Sequence, residues 1–202
     1  MRKLFVTAIG TDSGKTLASA ILTQNLQADY WKPIQAGTPR DTDRVRTLVD
    51  NAQTQFWPEA YFLQMPASPH KAAANEDIII SLDNIQLPDT QNDLVVEGAG
   101  GLLVPLNRNG DFVIDIAARL RLPIVLVCNL YLGSINHSLL SINELKRRNL
   151  PVLGLIFNGE PDPQSEDIIL KHAGWPCLLR ILPEPEITPE VVAHYAAQVQ
   201  WP

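Results

Sequence analysis

Short runs of almost uninterrupted Val, Ile, Leu and aromatic residues recur along the chain, and they restrict its possible folds more than any other feature. They are KLFVTAI at 3–9, YWKPI at 30–34, DLVVEG at 93–98, PIVLVCN at 123–129, PVLGLIFN at 151–158 and CLLRIL at 177–182. A strand without polar alternation has to be buried on both faces. Between several of these runs, at 16–27, 113–120 and 135–148, apolar residues return every three or four positions, which is helical spacing. Strand and helix in alternation predict an α/β three-layer sandwich, a mostly parallel sheet covered by helices on both sides. Ligands of such sheets bind at the carboxyl ends of the strands. With 46% hydrophobic and 19% charged residues in 202, one continuous core can form, and 1–202 reads as a single domain. The stretch 51–90 holds Pro58, Pro66, Pro69 and Pro88 without a strong period, and reads as loops and short helices on the site side. PEPEITP at 183–189 reads as extended, because proline fixes its own φ and restricts its predecessor.

Charge and hydropathy exclude several classes. The formal charge is −6, with no basic stripe for a nucleic-acid backbone or an anionic membrane surface. The first apolar stretch is broken by Gly10, Thr11 and Asp12, so no signal-peptide core forms. No apolar run approaches the roughly 18 residues of a membrane span, and a cytoplasmic location is expected. Cys128 and Cys177 lie in apolar runs and read as buried free thiols.

The strongest chemical signal is Gly14-Lys15-Thr16, directly after an apolar strand and at the start of a helix. There the loop N–H groups face phosphates, the lysine reaches the terminal phosphates and the threonine hydroxyl binds Mg²⁺. The common pattern G-x-x-x-x-G-K-[ST] would place glycine where Ile9 stands. Gly10 is the expected source of the positive φ that the turn needs. Glu97 stands next to the end of DLVVEG and opens EGAGG, where a carboxylate can hold Mg²⁺ or simply end the strand in solvent. Lys32, held extended by Pro33, projects over the same sheet edge and could neutralise an anion. Asp41 and Asp43 either cap a helix beginning near Thr42 or hold a metal. Leu132-Gly133-Ser134-Ile135-Asn136-His137 opens a further helix whose free N–H groups could take a carboxylate; His137 reads as structural.

Taken in order, VTAIGTDSGKT, WKPIQAG, ASPH at 67–70, VVEGAGG, LGSINH and Asn158 resemble the dethiobiotin synthetase family over nearly the whole chain. The resemblance implies a P-loop NTPase-like fold and an ATP- and Mg²⁺-dependent ligase of biotin biosynthesis. Its substrates would be 7,8-diaminononanoate (7,8-diaminopelargonic acid) and CO₂ or bicarbonate, joined through a carbamate and a carbamic-phosphoric anhydride. Lys15 and Lys32 would be catalytic, and Thr16, Asp43 and Glu97 would hold Mg²⁺. Thr11, Asp12, Ser13, Gly14, Lys15, Thr16, Glu97, Gly98, Gly100, Asn158 and Pro183 would bind the nucleotide. Thr11, Lys32, Ala36 and Gly100 would meet the diamine. Ser134, Ile135 and Asn136 would take its carboxylate from the neighbouring subunit of a homodimer. The family's loop carries its first glycine one residue earlier, where this chain has Ala8, and often Ser or Thr where it has Ala36. An ATPase switch of the ParA/MinD type shares the sheet, but carries a lysine early in K-G-G-x-G-K-T; Gly10-Thr11-Asp12-Ser13 has none.

Overall fold

A computed structural model describes residues 1–202. The strands are β1 (Lys3–Ala8), β2 (Asp29–Trp31), β3 (Ile34–Ala36), β4 (Phe56–Trp57), β5 (Tyr61–Leu63), β6 (Leu94–Gly101), β7 (Ile124–Asn129), β8 (Val152–Asn158) and β9 (Cys177–Ile181). The helices are α1 (Lys15–Leu26), α2 (Asp41–Leu48), α3 (Pro69–Asn75), α4 (Val113–Leu120), α5 (Ser134–Arg147), α6 (Pro163–Ala173) and α7 (Pro189–Ala196). Seven strands form one sheet in the order β4-β2-β6-β1-β7-β8-β9, and every pairing within it is parallel. The expected three-layer α/β architecture is therefore present.

Side-chain alternation explains why the strands are apolar throughout. Phe5, Val96, Ile124, Leu126 and Cys128 enter one core with α4, α5 and α6. Leu4, Val6, Val95, Val125 and Val127 enter the other, with α1, α2 and α7. Successive residues of a strand point to opposite faces, so two buried faces require apolar residues at both parities. The chain leaves β1 towards β2 on one side and leaves β6 towards β7 on the other. The reversal falls at β1, whose carboxyl end runs into the glycine-containing loop.

The run 30–34 does not form one strand. Lys32 and Pro33 separate β2, in the main sheet, from β3, which pairs in parallel with β5 in a small sheet of its own. Proline lacks the N–H that a central ladder requires. The stretch 51–90 contains β4, β5, α3 and a short 3₁₀ turn joined by loops. Pro189, expected within the extended run, begins α7, a position where its missing N–H costs nothing. Both cysteines are free, but only Cys128 is fully buried. Burial pushes its thiol up to about 12, so the thiolate nucleophile is absent near neutrality. No helix is long and apolar enough to cross a membrane.

The carboxyl end of α5 is fixed to α4 by charge. Glu144 accepts from Arg147 and Arg148, and Arg148 also pairs with Asp115 near the start of α4. The Arg147 hydrogen bonds, outweighing the opposing effect of burial and helped by Arg148, hold the Glu144 carboxyl at about 2 against an ordinary 4.5. A carboxyl depressed in the folded state contributes stability above its unfolded value and loses it as pH falls towards the folded one. Glu144→Gln is expected to lower the thermal unfolding midpoint at pH 7, with the difference from wild type closing between about pH 4.5 and 2. An equal difference at both ends of that range would rule this coupling out.

Candidate active site

The loop from Ile9 to Gly14 links the carboxyl end of β1 to the first turn of α1. Its left-handed residues are Asp12 (φ 56) and Gly14 (φ 89); Gly10, expected to have a positive φ, does not supply the turn. Gly14 is fixed by space as well as by φ. A Cβ there would lie 2.4 Å from Nδ2 of Asn158, whose amide donates to the Ser13 carbonyl at 3.2 Å. Asn158, at the end of β8, thus braces the loop. Ser13 is buried, and its hydroxyl donates to the Gly10 carbonyl at 3.1 Å, so this side chain also holds the loop together. Ala8 belongs to strand β1, an extended conformation that alanine adopts without penalty, and its departure from glycine leaves the loop intact.

A cavity of about 380 Å³ opens over this loop, lined by Thr11, Asp12, Gly14, Lys15, Thr16, Lys32, Asp41, Glu97 and Gly100, none of them apolar. Lys15 folds back over its own loop and donates from Nζ to the Gly10 carbonyl at 3.0 Å. Burial lowers its ammonium to about 8, against an opposing pull from Glu97. A lysine short of counter-charge, beside the free N–H groups of a helix start, is suited to a polyanion.

Glu97 is 1% exposed, which rules out the solvated strand end. Its Oε1 accepts from Thr16 Oγ1 at 3.0 Å and from Lys32 Nζ at 3.0 Å, and its Oε2 accepts from Tyr30 Oη at 2.8 Å. Lys32 also donates to Asp41. Burial works against the Lys32 charge, but Glu97 and Asp41 outweigh it and raise its pKa. The structure does not bring Asp43 to this cluster. It pairs with Arg40 at 2.9 Å on the outer side of α2, with half its side chain exposed. Asp41 faces the cavity in its stead. Neither aspartate caps α2, whose N-cap is Arg40 without a side-chain hydrogen bond. The hydroxyl of Thr16 and the carboxylates of Asp41 and Glu97 are hard oxygen donors of the kind Mg²⁺ takes. No group of three or more His, Cys, Asp or Glu could hold a metal unaided; Mg²⁺ typically draws its remaining ligands from waters and phosphates.

A second cavity, of about 450 Å³, adjoins the first. Thr11, Lys32, Asp41 and Gly100 line both. Its other walls include Ile34, Gln35, Ala36, Val104 and the Pro66–Pro69 turn before α3. Lys32 therefore stands between a wholly polar chamber and a partly apolar one. Gly100 (φ 66) has no room for a Cβ, which would sit 2.8 Å from Val104. Gly98 lines neither cavity; a Cβ there would meet Phe5 at 2.9 Å, so it serves strand packing. Pro183 follows β9 at the same edge of the sheet. Ser134 is buried at the start of α5, while Ile135 and Asn136 line a separate cavity with Leu130, Tyr131 and Glu160. The chain does not bring this segment to its own Lys32. His137 meets the hydroxyl of Tyr131, a partner that spacing could not identify. Tyr30 and the Pro66–Pro69 turn are the site residues whose role the sequence left unread, and Asp41 could not be told from Asp43 there.

A family described as "AAA domain" matches residues 2–191. A protein of Cytophaga hutchinsonii named ATP-dependent dethiobiotin synthetase is 56% identical over 201 residues, covering 98% of this chain and 97% of its own. Proteins of the same name from Christiangramia forsetii and Afipia carboxidovorans are 45% and 46% identical, over 96% and 94% of this chain and 94% and 91% of theirs. Among solved structures, the cell-division ATPase MinD of Pyrococcus furiosus superposes with a TM-score of 0.65 at 15% identity, covering 98% of this chain and 96% of its own. A ParA-family ATPase of Chlorobium tepidum superposes with a TM-score of 0.61 at 11% identity, over 97% and 98% of the two chains. Likeness at this level of identity concerns the fold alone.

Proposed function

The chain belongs to the dethiobiotin synthetase family, and from that premise we propose how its residues carry out the family's ATP-dependent ring closure. The enzyme is a cyclo-ligase of biotin biosynthesis that uses ATP, 7,8-diaminononanoate and CO₂. One amine captures CO₂ as a carbamate. The γ-phosphoryl group of ATP passes to a carbamate oxygen, giving a carbamic-phosphoric anhydride. The second amine then attacks the carbonyl carbon, closes the ureido ring and expels phosphate.

The observation that carries the residue assignment is the shared wall between the two cavities, with Lys32 in it. Phosphoryl transfer needs positioning and charge neutralisation more than covalent help from the protein. In this reading the polar cavity takes the phosphates, on the N–H groups of Thr11, Asp12, Ser13, Gly14 and Lys15. Lys15 leaves the Gly10 carbonyl for the γ-phosphate and the carbamate, and Lys32 offsets the second anion. Thr16, Glu97 and Asp41 hold Mg²⁺, which when bound offsets the charge on the phosphates. The partly apolar cavity takes the diamine chain beside Thr11, Ala36 and Gly100. Ala36 supplies no hydroxyl, a loss of about 0.5–1.5 kcal/mol of neutral hydrogen bonding, too small to remove activity. Asn158 and the Pro183 segment take adenine, with Asn158 also bracing the loop.

A homodimer completes the substrate site. Leu103, Tyr131, Leu132 and Leu140 are exposed apolar side chains on and around α5, and Ser134, Ile135 and Asn136 lie at its start. Covered by a second copy, this face would deliver those N–H groups to the neighbour's diamine cavity.

The protein is expected to release ADP from Mg²⁺, ATP and bicarbonate only when 7,8-diaminononanoate is present, with dethiobiotin detected by mass. Lys15→Ala is expected to slow turnover by at least roughly 10²-fold, the scale for losing a transition-state donor; near-normal turnover would exclude Lys15 from phosphoryl transfer. Asp41→Asn is expected to raise the Mg²⁺ concentration needed for nucleotide binding and Asp43→Asn to leave it unchanged. The opposite order in a metal titration would make Asp43 the ligand. Light scattering on a sizing column should find a dimer for wild type and a monomer for Leu132→Glu/Leu140→Glu, whose KM for the diamine should rise. A monomeric wild type would remove the neighbour from the site.

A further inference from the structure

Tyr30 is a fully buried tyrosine whose hydroxyl serves the nucleotide cavity without lining it. In the parallel pair of β2 and β6, Tyr30 sits in register with Val95, and Glu97, two residues on, shares its face. The ring packs against Phe56 at 6.1 Å between centroids, and Oη reaches Oε2 of Glu97 at 2.8 Å. The oxygens of Glu97 are thereby divided. Oε1 meets the groups of the cavity, Thr16 and Lys32, while Oε2 is tied back into the core.

The division has a consequence for the choice of cation. Mg²⁺ demands near-ideal octahedral geometry and is held through few carboxylate oxygens, whereas Ca²⁺ takes more ligands and accepts carboxylates through both oxygens. Groups that orient a metal ligand from behind typically change metal affinity by 10–100-fold when removed. We propose that Tyr30 is a positioning residue for the divalent cation: by engaging Oε2 it leaves Glu97 a single oxygen to offer, which favours Mg²⁺ over Ca²⁺. The inference rests on the reading that Glu97 helps to hold the cation of the nucleotide.

The test is binding of a fluorescent non-hydrolysable ATP analogue to the full-length protein, titrated with Mg²⁺ or with Ca²⁺. Wild type is expected to reach half-saturation at lower Mg²⁺ than Ca²⁺. Tyr30→Phe should raise the Mg²⁺ requirement roughly 10-fold without a matching rise for Ca²⁺, so that the preference narrows. Equal shifts for both cations, as a purely structural role would give, or no shift, would overturn the inference. Nucleotide binding by wild type that ignores both metals would overturn the reading it rests on instead. The same comparison in a Glu97→Gln background, where the carboxylate that Tyr30 engages is gone, gives an independent check. There Tyr30→Phe should leave the metal preference as Glu97→Gln alone has it, and a further change would show that Tyr30 acts through some other group.

Discussion

A carboxylate buried at the carboxyl end of a central strand is costly unless its oxygens are paired, and Glu97 meets that condition by drawing its donors from three directions. Thr16 reaches it from α1, Lys32 from the break between β2 and β3, and Tyr30 from within β2. Through Lys32 the link extends to Asp41 on α2. Removing one partner from such a buried pair typically costs about 3–5 kcal/mol, because it strands the other charge. The pairing thus fixes the helix that follows the phosphate-binding loop, the strand beside it and the first turn of α2 around one point. That point also gathers the hydroxyl of Thr16 and the carboxylates of Glu97 and Asp41, oxygen donors of the kind Mg²⁺ takes, so the interaction that secures the architecture also assembles the groups of the proposed metal site.

Backbone geometry sets the shape of the surrounding space. Asp12 and Gly14 turn the loop so that α1 starts beneath the cavity, and the amide of Asn158 braces it from two strands away. Gly14 and Gly100 have no room for a side chain, so the chain closes around the polar cavity without filling it. On the other side the walls come from β3 and the Pro66–Pro69 turn, positioned by the small β3–β5 sheet. Lys32 stands between the two chambers because Pro33 ends β2 and lets the chain step out of the main sheet.

The runs that form β1, β2, β6, β7, β8 and β9 were legible because two buried faces require an apolar residue at every strand position, and α1, α4 and α5 by their helical spacing, whereas β4, β5, α6 and α7 are too short or too weakly periodic to stand out. The site was legible only in part. Gly14, Lys15, Thr16, Glu97 and Lys32 carry side chains and spacings that point to phosphate chemistry. Asp41 and Asp43 could not be separated, since both fall in the first turn of one helix. Two positions apart on a helix of 3.6 residues per turn lie on nearly opposite faces, and only the packing of Val45 and Leu48 into the core decides which aspartate turns inward. Tyr30 was invisible for another reason: in an apolar strand a tyrosine reads as core. Its ring is core, and only its hydroxyl reaches the site. The positive φ expected of Gly10 falls on Asp12 and Gly14, because the path of the loop is fixed by where β1 ends and α1 begins.

By itself the sequence determined the layered parallel sheet, the phosphate-binding loop at the end of its first strand and the set of charged groups available there, because hydrophobic periodicity and side-chain chemistry are local properties. The tertiary structure alone decided which carboxylate faces the cavity, that Lys32 divides two chambers, that Asn158 braces the loop, and that the segment from Ser134 to Asn136 lies away from its own chain's Lys32. Those outcomes depend on distances between residues far apart in the chain, and these exist only once the sheet order and the helix packing have fixed them.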